Sequence, residues 1–204
     1  IIKKLKNVNQ ILITSTSETY GNAKYTPIDE NHPLVAQSPY SSTKIAADQL
    51  ALSYYLSFNL PVKIVRPFNT YGPRQSLRAI IPTIITQLLE GNKKIHLGNL
   101  NPTRDLTYVE DTVEAFLKIY ENDELFGEIT NIGSNNEISI KEIFNKISFI
   151  LKVNAFIEEE KIRKRPLKSE VNRLVCNNKK IYKYTGWQPQ INFDEGLIKT
   201  INWF

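Results

Sequence analysis

The sequence predicts an α/β fold with a parallel, doubly wound sheet, and two observations predict it. Short β-branched runs alternate along the chain with longer amphipathic segments, the pattern of strand–helix–strand units. Two of the runs, one from Ile11 to Thr14 and one starting at Val62, pass into polar residues and a glycine turn, at Gly21 and at Pro67, Gly72 and Pro73. In open sheets of this kind chemistry sits at such carboxyl ends.

Each element has its own local signal. Residues 1–10 are expected to be the tail of a helix leading into the first strand, since an isolated Ile1–Ile2 pair is far short of a signal-peptide core. Ser38 and Pro39 form an N-cap and first-turn pair that opens a helix to about Phe58, with Ile45, Leu50, Ala51 and Tyr54 as its expected core stripe. A second helix is predicted from Pro82 to about Glu90, stopped by Gly91 and Asn92, and a strand from Lys94 to Leu97. Val109, Val113, Phe116 and Leu117 have helical spacing within Tyr108 to Tyr120, and Glu128 to Ile132 reads as a strand. Ser139 and Glu142 make a capping box opening a helix to about Lys152. Asn177 to Tyr184 and Asp194 to Phe204 read as the last two helices, the first stopped by Gly186, while 158–165 reads as a solvated charge run.

Composition narrows the function classes by exclusion. With 204 residues, 41% hydrophobic and 23% charged, the chain can bury a sizeable core, and no apolar run approaches the length of a membrane span. The net charge of +5 comes from scattered basic residues with no aromatic-interleaved run, which argues against nucleic acid. The single cysteine, Cys176, excludes an internal disulfide, fits a reducing cytoplasm and is expected to be a buried thiol. His32 and His96 have no metal-ligand neighbours at usable spacing, so no metal is expected.

Tyr40 and Lys44 carry the chemistry. Four residues apart on a helix, they share one face. A free phenol titrates near ~10, and an adjacent ammonium favours the phenolate, so Tyr40 is a candidate general base for a hydroxyl proton. Hydride transfer from a secondary alcohol to a nicotinamide needs such a base.

Together with Ser15-Thr-Ser-Glu-Thr-Tyr-Gly21, Arg66-Pro-Phe-Asn-Thr-Tyr-Gly-Pro-Arg74, Thr103-Arg-Asp-x-x-Tyr-Val-x-Asp111 and Gly186-Trp-x-Pro189, this pair makes the chain resemble the extended short-chain dehydrogenase/reductases, specifically the NAD-dependent nucleotide-sugar epimerases, dehydratases and decarboxylases. The runs Thr16-Ser-Glu18, Pro67 to Gln75 and Ala79 to Thr86 look most like the GDP-N-acetylglucosamine 4,6-dehydratases of legionaminic acid biosynthesis. That family opens with a strand, a Gly-x-x-Gly-x-x-Gly turn and a helix for the dinucleotide pyrophosphate. No such segment stands in this sequence, which also contains no methionine. The expectation is therefore the C-terminal part of a Rossmann-like sheet, inactive alone. Residues 1–73 with 106–135 would form the NAD-binding part, and 74–105 with 136–204 mainly an interleaved, smaller substrate lobe.

The resemblance also implies roles. Tyr40, aided by Lys44, would deprotonate the sugar 4-hydroxyl, and Thr16 would hydrogen-bond that hydroxyl or the tyrosine. Glu18 would take the C5 proton. Position 17 helps the C6 hydroxyl depart; here it is Ser17, not the aspartate of many glucose-type enzymes, so Glu18 or a water would protonate the leaving group. Pro67 and Phe68 would set backbone against the nicotinamide. Asn69, Arg78, Arg104 and Arg165 would bind the diphosphate of the nucleotide sugar. A cytoplasmic homodimer through the Tyr40 helix and its neighbour is implied as well. Glu18 argues against a simple 4-epimerase, but a UDP-glucuronate decarboxylase and a non-catalytic module remain as alternatives.

Overall fold

A computed structural model of the chain describes residues 8–163, 166 and 169–204. The expected N-terminal helix tail falls mostly outside them. The main sheet joins β1 (Ile11–Thr14), β2 (Val62–Pro67) and β7 (Ile129–Ile132), in the order β1-β2-β7 and parallel throughout. Thr14 pairs with Val65 and Pro67 with Ile132, so the three carboxyl ends lie along one edge. Parallel sheets are covered on both faces, and β2 is correspondingly buried from Val62 to Arg66.

Alternation along β2 decides which helix covers which face. Arg66 bonds Asp48 of α1 (Pro39–Phe58), whereas Lys63 donates to the carbonyls of Ile119 and Tyr120 at the end of α3 (Val109–Glu121). Neighbouring odd and even residues point oppositely, so α1 and α3 lie on opposite faces of the sheet. Val65, Ala115, Ile119, Ile132, Ile181 and Trp187 form the cluster beneath α3, with α5 (Lys179–Thr185) joining it.

A larger cluster lies beside it. Ile81, Ile84, Ile85 and Leu88 of α2 (Ile80–Leu89) pack with Ile95 and Leu97 of β4 (Lys94–Leu97) and with α4 (Ile140–Leu151) and α6 (Phe193–Trp203). The strand pair β3 (Asn69–Tyr71) and β6 (Leu106–Tyr108) leads from the sheet into this lobe, and β5 (Thr103–Arg104) pairs with β8 (Ile138–Ser139) and β10 (Arg173–Leu174). Capping follows the sequence. Ser38 Oγ accepts from Ser41 N at 3.1 Å, Ser139 Oγ accepts from Glu142 N at 3.2 Å, and Gly186 ends α5 at φ 69°.

Both α1 and α3 are where the sequence puts them and turn a partly polar face inward; in α1 this leaves Leu50 and Tyr54 of the expected core stripe outside, with Ile45 and Ala51 half-buried. In α1 the buried residues are Ser41 and Asp48, while Leu50 is 61% exposed and Tyr54 points outward too. In α3 the inward side is Asp111, Thr112, Ala115 and Ile119, leaving Val113 and Leu117 exposed. The reason is the same in both: polar side chains that find buried partners displace the apolar stripe from the core. The charge run is also partly structured. β9 (Phe156–Glu159) pairs in parallel with β4, and Glu158 bonds Lys94 across that pair at 2.7 Å.

The outward position of Leu50 in α1 has a measurable consequence. Ile85→Ala, in a fully buried position, should destabilise by roughly 2–5 kcal/mol, and Leu50→Ala should stay within about 0.5 kcal/mol, read by denaturant unfolding of the monomer. Equal losses would mean that α1 packs the other way round.

Candidate active site

The site assembles at the carboxyl edge of the main sheet. After Thr14 the chain leaves β1 and makes a 3-10 turn, Ser17–Tyr20, whose N-cap Thr16 accepts from Glu18 N through Oγ1 at 3.2 Å. That bond fixes the direction in which Glu18 leaves the turn, while the Thr16 hydroxyl proton can still be donated. Opposite, the first turns of α1 carry Tyr40 and Lys44. Lys44 Nζ donates to the carbonyl of Thr14 at 2.9 Å and lies 5.9 Å from the Tyr40 ring centre. The helical spacing thus delivers phenol and ammonium to one face, pinned to the end of β1.

Glu18, Ser38, Tyr40 and Ser169 line one cavity of about 400 Å³. Tyr40 is half-exposed into it, and Glu18 is half-buried. Ser17 is buried and is not among the lining residues. Ser38 is engaged as the helix cap.

A second cavity, also about 400 Å³, is lined by Asn69, Gln75, Arg78, Arg104, Arg163 and Glu170 among others. Three of the sequence-predicted diphosphate residues, Asn69, Arg78 and Arg104, therefore meet in one place; Arg165 lies outside the described residues. Arg104 is held by the carbonyls of Thr103 and Val171, each at 2.8 Å, and faces Glu170 at 3.8 Å. Gln75 donates to Thr70 O, and its side-chain oxygen is buried in the lining with no donor among the described residues. Consecutive residues Ser169 and Glu170 line the first and second cavities respectively, so one short segment borders both. Phe68 is buried and Pro67 half-buried, between β2 and Asn69.

Asp105 holds this region together. Its carboxylate accepts from Ser134 N and Oγ, both at 2.7 Å, and from Asn135 N and Cys176 N, both at 2.9 Å; its own carbonyl accepts from Asn69 N at 3.1 Å. Burial pushes its pKa up to about 6 although the Ser134, Cys176 and Asn135 bonds pull it down. Burial also raises Cys176 well above the usual thiol range, as expected of an inert buried cysteine. His32 is buried, bonded to Lys24 N and to Pro33 O, and no metal-holding group of side chains occurs among the described residues. No helix among them is long and apolar enough to cross a membrane.

Sequence reading missed Ser169, Gln75, Arg163, Glu170 and Asp48. Asp48 carried a usable signal, standing one further turn beyond Lys44 on the same helix face. The others are brought in by segments distant in sequence and carried none.

Comparison with known proteins defines the class. Residues 1–200 match the family described as GDP-mannose 4,6 dehydratase, and the chain belongs to that family of nucleotide-sugar epimerases and dehydratases. It is 36% identical to human dTDP-D-glucose 4,6-dehydratase over 97% of this chain and 57% of that protein. The structure of dTDP-glucose 4,6-dehydratase from Bacillus anthracis, solved with NAD, superposes with a TM-score of 0.87 at 34% identity, covering 95% of this chain and 61% of that one. UDP-glucuronic acid 4-epimerase from Bacillus cereus, solved with UDP-glucuronic acid and NAD, gives 0.90 at 26% identity, covering 98% and 62%. The chain thus spans about three-fifths of the length of these relatives. The α/β class with parallel strands agrees with the sequence expectation.

The raised Asp105 carboxyl predicts an unusual pH response. Its folded pKa, about 6, lies above the ordinary 3.8, so its contribution to stability is complete below the ordinary value and is lost as pH rises through about 6. Going from pH 7 to 5 should therefore stabilise the native protein by about 1 kcal/mol relative to Asp105→Asn, measured by urea unfolding. A pH-independent difference between the two would show that Asp105 does not titrate in that window.

Proposed function

We propose that this chain carries the catalytic part of an NAD-dependent nucleotide-sugar 4,6-dehydratase, a lyase acting on a GDP- or UDP-linked N-acetylhexosamine. The observation that carries the reading is that Glu18 and Tyr40 line one cavity. Simple oxidation or 4-epimerisation needs only the tyrosine base. Elimination needs a second group for the C5 proton, and Glu18 supplies a carboxylate there.

The residues present fit the nicotinamide end of NAD⁺. Tyr40 and Lys44 stand at the carboxyl end of β1, and Pro67 and Phe68 at that of the neighbouring β2, while none of the 8 glycines has the spacing of a pyrophosphate-binding turn. When bound, NAD⁺ supplies the redox chemistry, taking a hydride from C4 and returning it to C6, so that oxidation and reduction balance within one turnover. Tyr40 takes the 4-hydroxyl proton, with Lys44 beside it on the same helix face and Thr16 donating a hydrogen bond to the same oxygen or to the tyrosine. The ketone at C4 acidifies C5. Glu18 removes the C5 proton and, then carrying it, delivers it to the departing C6 hydroxyl, which leaves as water; as hydride reaches C6, C5 takes a proton from solvent by way of Glu18, and Tyr40 gives the 4-hydroxyl proton up to solvent, so that one water is lost overall. Ser17, buried beside Glu18, is proposed to support that turn.

Asn69, Arg78 and Arg104 surround the diphosphate in the second cavity, and Arg165 is proposed to join them. Ser169 and Glu170, bordering both cavities, suit a ligand whose sugar occupies one and whose diphosphate occupies the other. The N-acetylhexosamine and the GDP or UDP base rest on the likeness of Thr16–Glu18, Pro67–Gln75 and Ala79–Thr86 to the GDP-N-acetylglucosamine dehydratases. The assembly proposed is a homodimer through α1, whose exposed Leu50, Tyr54 and Phe58 recur at four-residue spacing.

In the full-length protein Tyr40→Phe should lower turnover at least ~100-fold with sugar-nucleotide affinity kept, because only the proton acceptor is lost. Glu18→Gln should leave C4 oxidation intact yet stop solvent deuterium from entering C5 and stop water loss, both followed by mass spectrometry of the nucleotide sugar. Near-normal elimination in Glu18→Gln, or loss of carbon dioxide from a uronate instead of water from the hexosamine, overturns the dehydratase reading. Leu50→Glu should shift the protein towards monomer in analytical ultracentrifugation, and an unchanged dimer would move the interface elsewhere.

A further inference from the structure

Beneath the dyad lies a buried ion pair to which no role has been given. Asp48 and Arg66 are both fully buried. Arg66 Nε and Nη2 donate to Asp48 Oδ2 at 3.0 and 2.8 Å, and Ser15 Oγ donates to the same oxygen at 2.6 Å. Among the described residues no donor reaches Asp48 Oδ1. The remaining guanidinium nitrogen, Nη1, donates to Tyr20 OH at 3.1 Å, and Tyr20 passes its own proton to Asn131 Oδ1 at 2.7 Å.

Each end of this pair touches a part of the site. Asp48 stands one turn beyond Lys44 and two beyond Tyr40 on α1. Arg66 directly precedes Pro67, Phe68 and Asn69. Ser15 directly precedes Thr16. One carboxylate oxygen therefore ties the helix with the dyad to both strand ends that face it. We propose, resting on the assignment of Tyr40 as base, that Asp48 and Arg66 are positioning residues that fix Tyr40 and Lys44 against the Thr16–Glu18 turn and, by cancelling each other's charge, keep the buried field at the dyad near neutral.

The other charged or titratable groups around the pair are Lys44 and Tyr40 on α1, Glu18 and Tyr20 on the packed turn, and Glu30, which accepts from Asn131 N at 2.8 Å. Burial pushes Tyr20 up to about 12, with Arg66 pulling the other way, so it stays a proton donor to Asn131. Lys44, bonded to the neutral Thr14 carbonyl, keeps its charge in every variant, and Glu30 lies beyond Asn131, so both form a constant background against which the loss of one partner of the pair is read.

The sign of the effect separates a field from a mere scaffold. Asp48→Asn leaves Arg66 as an uncompensated cation, and Arg66→Met leaves Asp48 as an uncompensated anion. Two helical turns put Tyr40 about 12 Å from Asp48 along the axis, where a unit charge is worth about one pH unit in a titration midpoint at the usual effective protein dielectric. The Tyr40 phenol is read in the full-length protein as the tyrosinate absorbance difference between each variant and the same variant carrying Tyr40→Phe. This readout needs neither substrate nor turnover, so it is independent of whether the protein is a dehydratase.

Relative to the unmodified pair, Asp48→Asn should lower the midpoint by about one pH unit and Arg66→Met should raise it by a similar amount. Arg66→Lys, keeping the charge but losing the two-pronged bond, should lower thermal stability and leave the midpoint in place. The double variant Asp48→Asn/Arg66→Met should bring the midpoint back. Shifts of the same sign in the two single variants, or none, overturn the proposal. Where a single variant does not fold, the double decides: a folded double with the original midpoint supports the pair, and a folded double with a displaced midpoint rejects it.

Discussion

The architecture of the site depends on a constraint that contributes little net stability, the burial of Asp48 against Arg66. Removing two full charges from water costs several kcal/mol each, and their mutual attraction does little more than offset that cost. What the pair provides is uniqueness. A helix held only by apolar contact can slide by a turn at small cost, whereas α1 shifted against β2 would strand a buried charge. The inward face of α1 is accordingly polar, through Ser41 and Asp48, and its apolar residues are left for the outside.

Asp105 plays the corresponding part on the other side of the sheet edge. It gathers donors from residues 134, 135 and 176 and, through its carbonyl, from Asn69, so three separated segments converge on one residue. Arg104 and Asn69, which face the second cavity, are its chain neighbour and its backbone partner. Four hydrogen bonds do not fully repay the desolvation of its carboxylate, which is why its pKa is raised. Both cavities thus rest on buried carboxylates, one neutralised by a guanidinium and one held by neutral donors only.

Most of the fold was legible because its signals are local. The strand Ile11–Thr14, the cap at Ser38, the capping box at Ser139 and the stop at Gly186 all follow from residues within one or two turns of each other. The short strands Thr103–Arg104, Ile138–Ser139 and Arg173–Leu174 were not legible, since two-residue strands exist only through their pairing partners. Part of the inward face of α1, at Leu50 and Tyr54, was misread for a related reason. Apolar periodicity identifies the buried side only when the core opposite is apolar, and here Arg66 and Lys63 point out of β2 towards the two helices.

The candidate site divides along the same line. Tyr40 with Lys44, and Thr16 with Glu18, are close in sequence, and their geometry follows from a helical turn and a capped 3-10 turn. The meeting of Glu18 with Tyr40, and of Asn69 with Arg78 and Arg104, depends on parallel register: Thr14 opposite Val65 and Asn69 opposite Leu106 bring the segments that follow to a common edge. Parallel pairing joins strands that are distant in sequence, so no local signal announces which of the segments that follow them will meet. Changes at Arg163, Ser169 and Glu170, which line the two cavities without belonging to the sheet, can therefore alter the shape of both cavities while leaving Tyr40, Lys44, Glu18 and their supports untouched.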